Sequence, residues 1–217
     1  MPSFKIFTDY FDTYMQGFLN TIYTSLIALV GSFLIGTIIA IFRITNNRPL
    51  QWLGTVYVEF IRNIPLMLVV FIFFYGLPSI GITLSGFVSG TIGLMVYTAA
   101  FVAEAIRAGI MAVPKGQTEA ARASGLNYTQ TMIHVILPQA IKIVIPPLSN
   151  QFINLVKNSS ILGAFAGLDL MYYADRVASK TYATFDTYIF VALLYLVLTL
   201  PLSYMALQLE RKLAKTG

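Results

Sequence analysis

The chain has 217 residues, no cysteine and a single histidine, His134. No disulfide framework or thiolate metal site can form, and one imidazole cannot build a multi-histidine metal centre within one chain. Charge is scarce as well. Charged residues make up 11% of the chain, against about 25% in soluble domains, while 57% is hydrophobic and the mean hydropathy is +0.75. A chain this apolar cannot cover its own surface with polar groups, so an all-α, multi-span membrane protein with one membrane domain is expected. The net charge of +5 is not gathered into one patch, which argues against a nucleic-acid surface. The basic residues stand at the ends of apolar runs, as topology determinants do. The phosphate-loop pattern G-x-x-x-x-G-K-[ST] is missing. Carboxylates are not clustered, which leaves a membrane enzyme without convergent catalytic groups. There is no internal repeat to support an inverted-repeat transporter.

What is present is a series of apolar runs. A span takes about 20 apolar residues at about 1.5 Å each. Five stretches qualify, at roughly 17–42, 60–77, 87–112, 143–166 and 187–209. The start, "MPSFKIFTDYFDTYMQGF", lacks a basic region followed directly by a short apolar core, so it reads as an amphipathic lead into an uncleaved first span. Lysine and arginine then set the orientation. One side collects Arg43, Arg48, Arg62, Arg107, Lys115, Arg122, Lys142, Arg211, Lys212 and Lys215, and the other only Lys5, Arg176 and Lys180. The N-terminus is therefore expected outside and the C-terminus in the cytoplasm. Residues 113–142 become a cytoplasmic loop and 167–186 an outer one. The outer tyrosines Tyr172, Tyr173 and Tyr182 read as an interfacial belt and its acids, Asp169 among them, as a solvated rim.

The cytoplasmic loop is unusual for its polarity. "KGQTEAARASGL" reads as a helix capped by Thr118, with Glu119 near its positive end, helix-forming Ala120, Ala121 and Ala123, and Gly125 just past its end. "NYTQTMIHVIL" continues as a second short helix, and Pro138 marks a bend or restart. Small alanines on a short helix let another protein's backbone approach closely, although a plain surface connector has the same composition.

The spacing goes further. Glu119-Ala120-Ala121, three residues, Gly125, nine residues, then Val135-Ile136-Leu137-Pro138 resembles the EAA loop of binding-protein-dependent ABC importer permeases, with Val135 where isoleucine is usual. The segments 62–78, 103–117 and 137–162 extend the resemblance over most of the chain, and they are similar to the polar amino acid permeases. The segment Lys157-Asn158-Ser159-Ser160-Ile161 departs from the family's frequent Lys-Asp-Thr-Ser-Leu. The resemblance implies the five-helix type I ABC importer permease architecture in a bacterial cytoplasmic (inner) membrane. It implies ABC ATPase subunits that bind ATP and Mg in place of any cofactor in this chain. A second permease copy or paralogue, an extracytoplasmic substrate-binding protein and an amino acid substrate complete the expected assembly. Glu119, Ala120, Ala121, Gly125, Leu137 and Pro138 are the residues it implies for coupling to the ATPase.

Ionisable groups inside a span are costly, about 2.5–3.5 kcal/mol at its centre on insertion scales. Asn150, Asn154 and Lys157 fall at i, i+4 and i+7 in span four, and Ser160 extends that face. This stripe either lines a water-filled route whose lysine meets a substrate carboxylate, or glues helices while Lys157 snorkels outward. In span three, Glu104 and Arg107 at i, i+3 either neutralise each other or offer Glu104 to a substrate ammonium. An ion-driven transporter using Glu104 as a proton site is the rival reading. Glu59 and Arg62 share the same spacing and read as an interfacial pair. Pro146-Pro147 is expected to forbid a regular helix at the start of span four, and Pro65 and Pro201 to kink spans two and five.

Overall fold

A computed structural model describes residues 4–215. The described residues are helical throughout their ordered elements, with no strand among them. A short lead, α1 (Phe4–Asp9), turns into α2 (Phe11–Ile44). Then follow α3 (Arg48–Arg62), α4 (Leu66–Phe71) with a tail to Ile80, α5 (Gly86–Met111), α6 (Lys115–Ala123), α7 (Tyr128–Thr131), α8 (Leu137–Asn158), α9 (Leu170–Thr181) and α10 (Thr184–Lys215). Four runs are long and apolar enough to cross a membrane: α2, α5, Tyr128–Phe165 and Thr184–Leu213. A fifth arises if the bent pair Arg48–Arg62 and Leu66–Ile80 is one span.

Two helices form the centre. The buried positions of α2 are Tyr14, Gly17, Thr21, Thr24, Ser25, Ala28, Ser32, Gly36 and Ala40, a stripe of mostly small residues three or four apart. That stripe lets the α5 backbone approach closely. A Cβ at Gly36 would lie 2.6 Å from Val102 Cγ1 and 2.9 Å from the Ala99 carbonyl oxygen. The opposite faces of α5 receive α4 and α8, through clusters around Leu94 with Val70 and Leu155, and Val102 with Val144 and Leu148.

The apolar run expected as one span over 60–77 is two elements. α3 and the helix after it meet at 108° across Asn63-Ile64-Pro65. Proline disfavours the helical conformation at the residue before it, so the chain turns a corner rather than bending slightly. The tail of α4 then contains a π turn at Ile72–Gly76, in which the Leu77 N–H donates to the Ile72 carbonyl. A matching π turn, Met132–Ile136, joins α7 to α8, with the Leu137 N–H donating to the Met132 carbonyl. Both sit directly before a Leu-Pro pair. Pro78 and Pro138 have no N–H for the carbonyl four residues back, and their rings crowd it. One wider turn makes the room. Pro138 therefore does not restart a helix, as the sequence suggested. Pro146-Pro147 likewise lie inside α8, which begins upstream of them, and Pro201 lies inside α10. The Asn150 amide turns back to the Pro146 carbonyl, 3.3 Å away.

The stretch read as an outer loop holds helix α9, and Asp169 is fully buried rather than solvated. Its carboxylate caps α9 by accepting from the Met171 and Tyr172 N–H groups at 3.1 and 3.2 Å. Ala166 and Leu168 flank Gly167 in left-handed backbone (φ 52° and 59°), a conformation that costs a branched or bulky residue free energy. The turn is pinned to α2, where the Asn20 amide donates to the Leu168 carbonyl (2.9 Å) and the Leu170 N–H donates to Thr21 Oγ1 (3.0 Å). Tyr173 is buried beside Gly17 of α2 rather than in a belt, whereas Tyr182 is exposed.

Burial pushes the Asp169 carboxyl up from 3.8 to about 6, against the opposing pull of its backbone hydrogen bonds. The folded state thus holds this proton more tightly than the unfolded chain. The protein gains stability below about pH 4 and loses it as pH rises through about 6. Asp169→Asn keeps one of the two capping acceptors and removes the titration. It is expected to flatten the pH dependence of thermal unfolding between pH 4 and 6, measured in detergent from pH 4 to 8.

Candidate functional site

The polar loop is a compact, largely exposed protrusion. α6 starts at Lys115 after Pro114, so Thr118 lies inside the helix and does not cap it. Proline preorganises a helix start and displaces the cap upstream. The far end closes as the glycine suggested. Gly125 sits at φ +85°. Its N–H donates to the Arg122 carbonyl (3.0 Å), and the Leu126 N–H donates to the Ala121 carbonyl (3.2 Å). This pair of bonds satisfies the last carbonyls of α6 and requires a residue comfortable at positive φ. The chain restarts at once with a reciprocal cap. Gln130 N–H donates to Asn127 Oδ1 and Asn127 N–H to Gln130 Oε1, each at 2.9 Å.

Of the coupling candidates, Ala121 faces inward and is buried. Glu119, Ala120, Gly125 and Pro138 are exposed, and Leu137 is half-buried. The protrusion is seated on the bundle by Val113, Ile136 and Ala140, with Ile110, Met132 and Val135 around them. The exposed face, with Glu119, Ala120, Ala123 and Tyr128, is small-featured and projects beyond α5 and α8.

The polar stripe of α8 borders a second feature. Asn150, Asn154 and Lys157 line a cavity of about 350 Å³, closed from the side by Ser203, Ala206, Leu207 and Glu210 of α10. Ser160 is half-buried in the tighter turn that follows α8 and does not line it. Glu104 is elsewhere. It accepts a hydrogen bond from Arg43 at the end of α2 and a fork from Arg107, Nε at 3.2 Å and Nη2 at 2.7 Å. Glu59 of α3 stands 4.0 Å from Arg43, while Arg62 lies over the Phe101 ring, 5.5 Å from its centre. The expected Glu59–Arg62 pair is thus replaced by a four-residue cluster that ties α2, α3 and α5 together. Glu104 does not line the cavity that Lys157 lines.

The sequence reading missed Arg43 and Glu210. Arg43 was visible only as a topology charge at the end of an apolar run. Glu210 lies in "ALQLERK", where a carboxylate beside two cations looks like an ordinary span end.

Residues 14–215 match the family described as "Binding-protein-dependent transport system inner membrane component". The chain belongs to that family. The permease is 64% identical, over 98% of both chains, to the probable glutamine ABC transporter permease protein GlnM of Bacillus subtilis (strain 168). It is 38% identical to the probable glutamine ABC transporter permease protein GlnP of the same organism, over 90% of this chain and 91% of that one. A solved structure described as an amino acid ABC transporter with histidines superposes with a TM-score of 0.93 at 35% identity, covering 98% of this chain and 99% of that one. The MetNI methionine ABC transporter in an inward-facing conformation shares the fold at a TM-score of 0.78 and 19% identity. The permease is accordingly a multi-pass membrane protein and the membrane subunit of an ABC importer, not the subunit that hydrolyses ATP.

The ion cluster yields a direct prediction. Arg43 is almost buried, so Glu104→Gln leaves its guanidinium without its main carboxylate and is expected to cost about 3 kcal/mol. Adding Arg43→Gln should recover part of the loss, because the stranded charge goes with it. Thermal unfolding of the two single variants and the double variant in detergent measures the coupling.

Proposed function

We propose that this permease carries a polar amino acid, glutamine in the first instance, inward across a bacterial cytoplasmic membrane. The N-terminus lies outside and the C-terminus in the cytoplasm, as the lysine and arginine placement supports. Two copies, or this chain and a paralogue, enclose the pathway. A substrate-binding protein delivers the amino acid at the outer face. Two ABC ATPase subunits, holding ATP and Mg, take the α6–α7 protrusion as a docking surface. Their closure on ATP draws the protrusions together and opens the pathway outward, and hydrolysis resets it. The carrying observation is the protrusion itself: the EAA spacing folds into a helix, a left-handed glycine and a second capped helix, exposed to a partner. Relatives named as glutamine permeases support the substrate.

Within the membrane, Lys157, Asn150 and Asn154 of α8 are the proposed pathway residues, with the lysine ammonium meeting a substrate carboxylate. Glu104 serves the ion cluster instead. Both of its carboxylate oxygens are taken by Arg43 and Arg107, which speaks against the rival, ion-driven reading.

Gly125→Asp tests the docking. Any side chain at φ +85° is strained, although nothing lies within 4 Å to obstruct it, so the fold should survive. Membrane insertion is expected to be normal, with ATPase subunits lost on purification and labelled-glutamine uptake abolished; unchanged co-purification and uptake would refute the docking role. Lys157→Met is expected to abolish uptake while the ATPase subunits still co-purify, and undiminished uptake would remove Lys157 from the pathway.

A further inference from the structure

Helix α3 carries three stripes. Gly54, Val58 and Ile61 are buried against α2 and α5. Gln51, Thr55, Glu59 and Arg62, with Arg48 at the helix start, form a polar stripe. Pro49, Trp52, Leu53, Val56 and Phe60 form an apolar one that no described residue covers: Trp52 is 64% exposed and Phe60 59%. At about 100° per residue the stripe centres are separated by roughly 95° from buried to polar, 115° from polar to apolar and 150° from apolar to buried. This cross-section fits a corner where protein, water and an apolar medium meet.

The placement of the helix agrees. α3 meets the following apolar helix at 108°, so the two cannot both run along the membrane normal. It sits at the end of the bundle where α2 finishes, with Gly54 against Arg43 and the Ile39 carbonyl. The arginines stand at the two ends of the polar stripe, and the acid between them is turned towards Arg43.

We infer that α3 is an in-plane membrane anchor for the anionic phospholipid leaflet on the α6 side of the bundle. Trp52, Leu53, Val56 and Phe60 seat among the upper acyl chains, and Arg48 and Arg62 meet lipid phosphates. Tryptophan favours the interfacial layer, and an amphipathic helix with cations on its polar face binds there. A second copy of the chain would cover an apolar stripe equally well, but it would not call for a polar stripe ended by arginines along its edge. A charged leaflet calls for both.

The chain is suited to the test, since Trp52 is its single tryptophan and it has no cysteine. The full-length permease, purified alone, is placed in bilayers containing brominated phospholipids, which quench a tryptophan they touch. Bromines near the carbonyl end of the acyl chain are expected to quench Trp52 more than bromines near the terminal methyl. Brominated phosphatidylglycerol should quench at several-fold lower mole fraction than brominated phosphatidylcholine, and Arg48→Gln should reduce that preference roughly fivefold. Absent quenching, strongest quenching from the bilayer centre, or equal action of the two headgroups would overturn the inference. Val56→Cys is expected to give no disulfide between copies under oxidation. An efficient cross-link would assign the stripe to a second copy and overturn it as well.

Discussion

The close packing of α2 on α5 sets every other distance in this protein. Lipid is as apolar as leucine, so helices in a bilayer gain little by hiding apolar area from it. They associate where backbones approach closely enough for dispersion and for the few polar contacts available. The stripe from Gly17 to Ala40 supplies that approach. With α2 and α5 fixed at this separation, Arg43 reaches Glu104, the polar turn before α9 reaches Asn20 and Thr21, and α5 still has faces left for α4 and α8. A bulkier residue at Gly36 would push the pair apart and stretch the ion cluster at one end and the pinned turn at the other.

Much of this was legible from composition and spacing. The apolar runs marked α2, α5 and α10 to within a few residues, because continuous hydropathy in lipid leaves the chain no alternative to a helix. The EAA spacing and Gly125 located the protrusion and its left-handed turn. Signals that depend on long-range partners were not legible. Asp169 looked like a solvated loop acid because nothing nearby in sequence announces that its turn will be pinned against Gly17, Asn20 and Thr21 of α2. Arg43 and Glu104 are 61 positions apart, and the i+3 neighbour Arg107 offered a sufficient local explanation. The prolines misled in a consistent way. Pro138 was read as a bend or restart and Pro146-Pro147 as forbidding a regular helix, yet the helix passes each of them, once with a π turn, while Pro65 makes a corner sharper than a kink. Neighbours decide between those outcomes. α8 is held on both sides by α5 and α10, whereas the Asn63–Pro65 corner has α3 free to lie across the bundle.

The protrusion and the polar cleft adjoin one continuous element. From Asn127 onward the chain runs as helix through α7, the π turn and α8, without a loop in which motion could be lost. The other side of the protrusion is different: Ala112 to Pro114 link α5 to α6 through a short non-helical stretch. Displacement of the protrusion is thus transmitted preferentially to the fourth span.

The contact between Gly109 and Val144 gives that transmission a mechanical form. There the two backbones come so close that a methyl on the glycine would overlap the valine side chain, and α8 can roll over α5 more readily than it can slide along it. Val144 lies about 24 Å along the helix from Tyr128 and about 20 Å from Lys157. A rod pivoted near its middle is a lever with almost equal arms. If the ATPase partners draw the protrusion as proposed, a rod turning about that contact carries its cleft end in the opposite sense with a similar stroke.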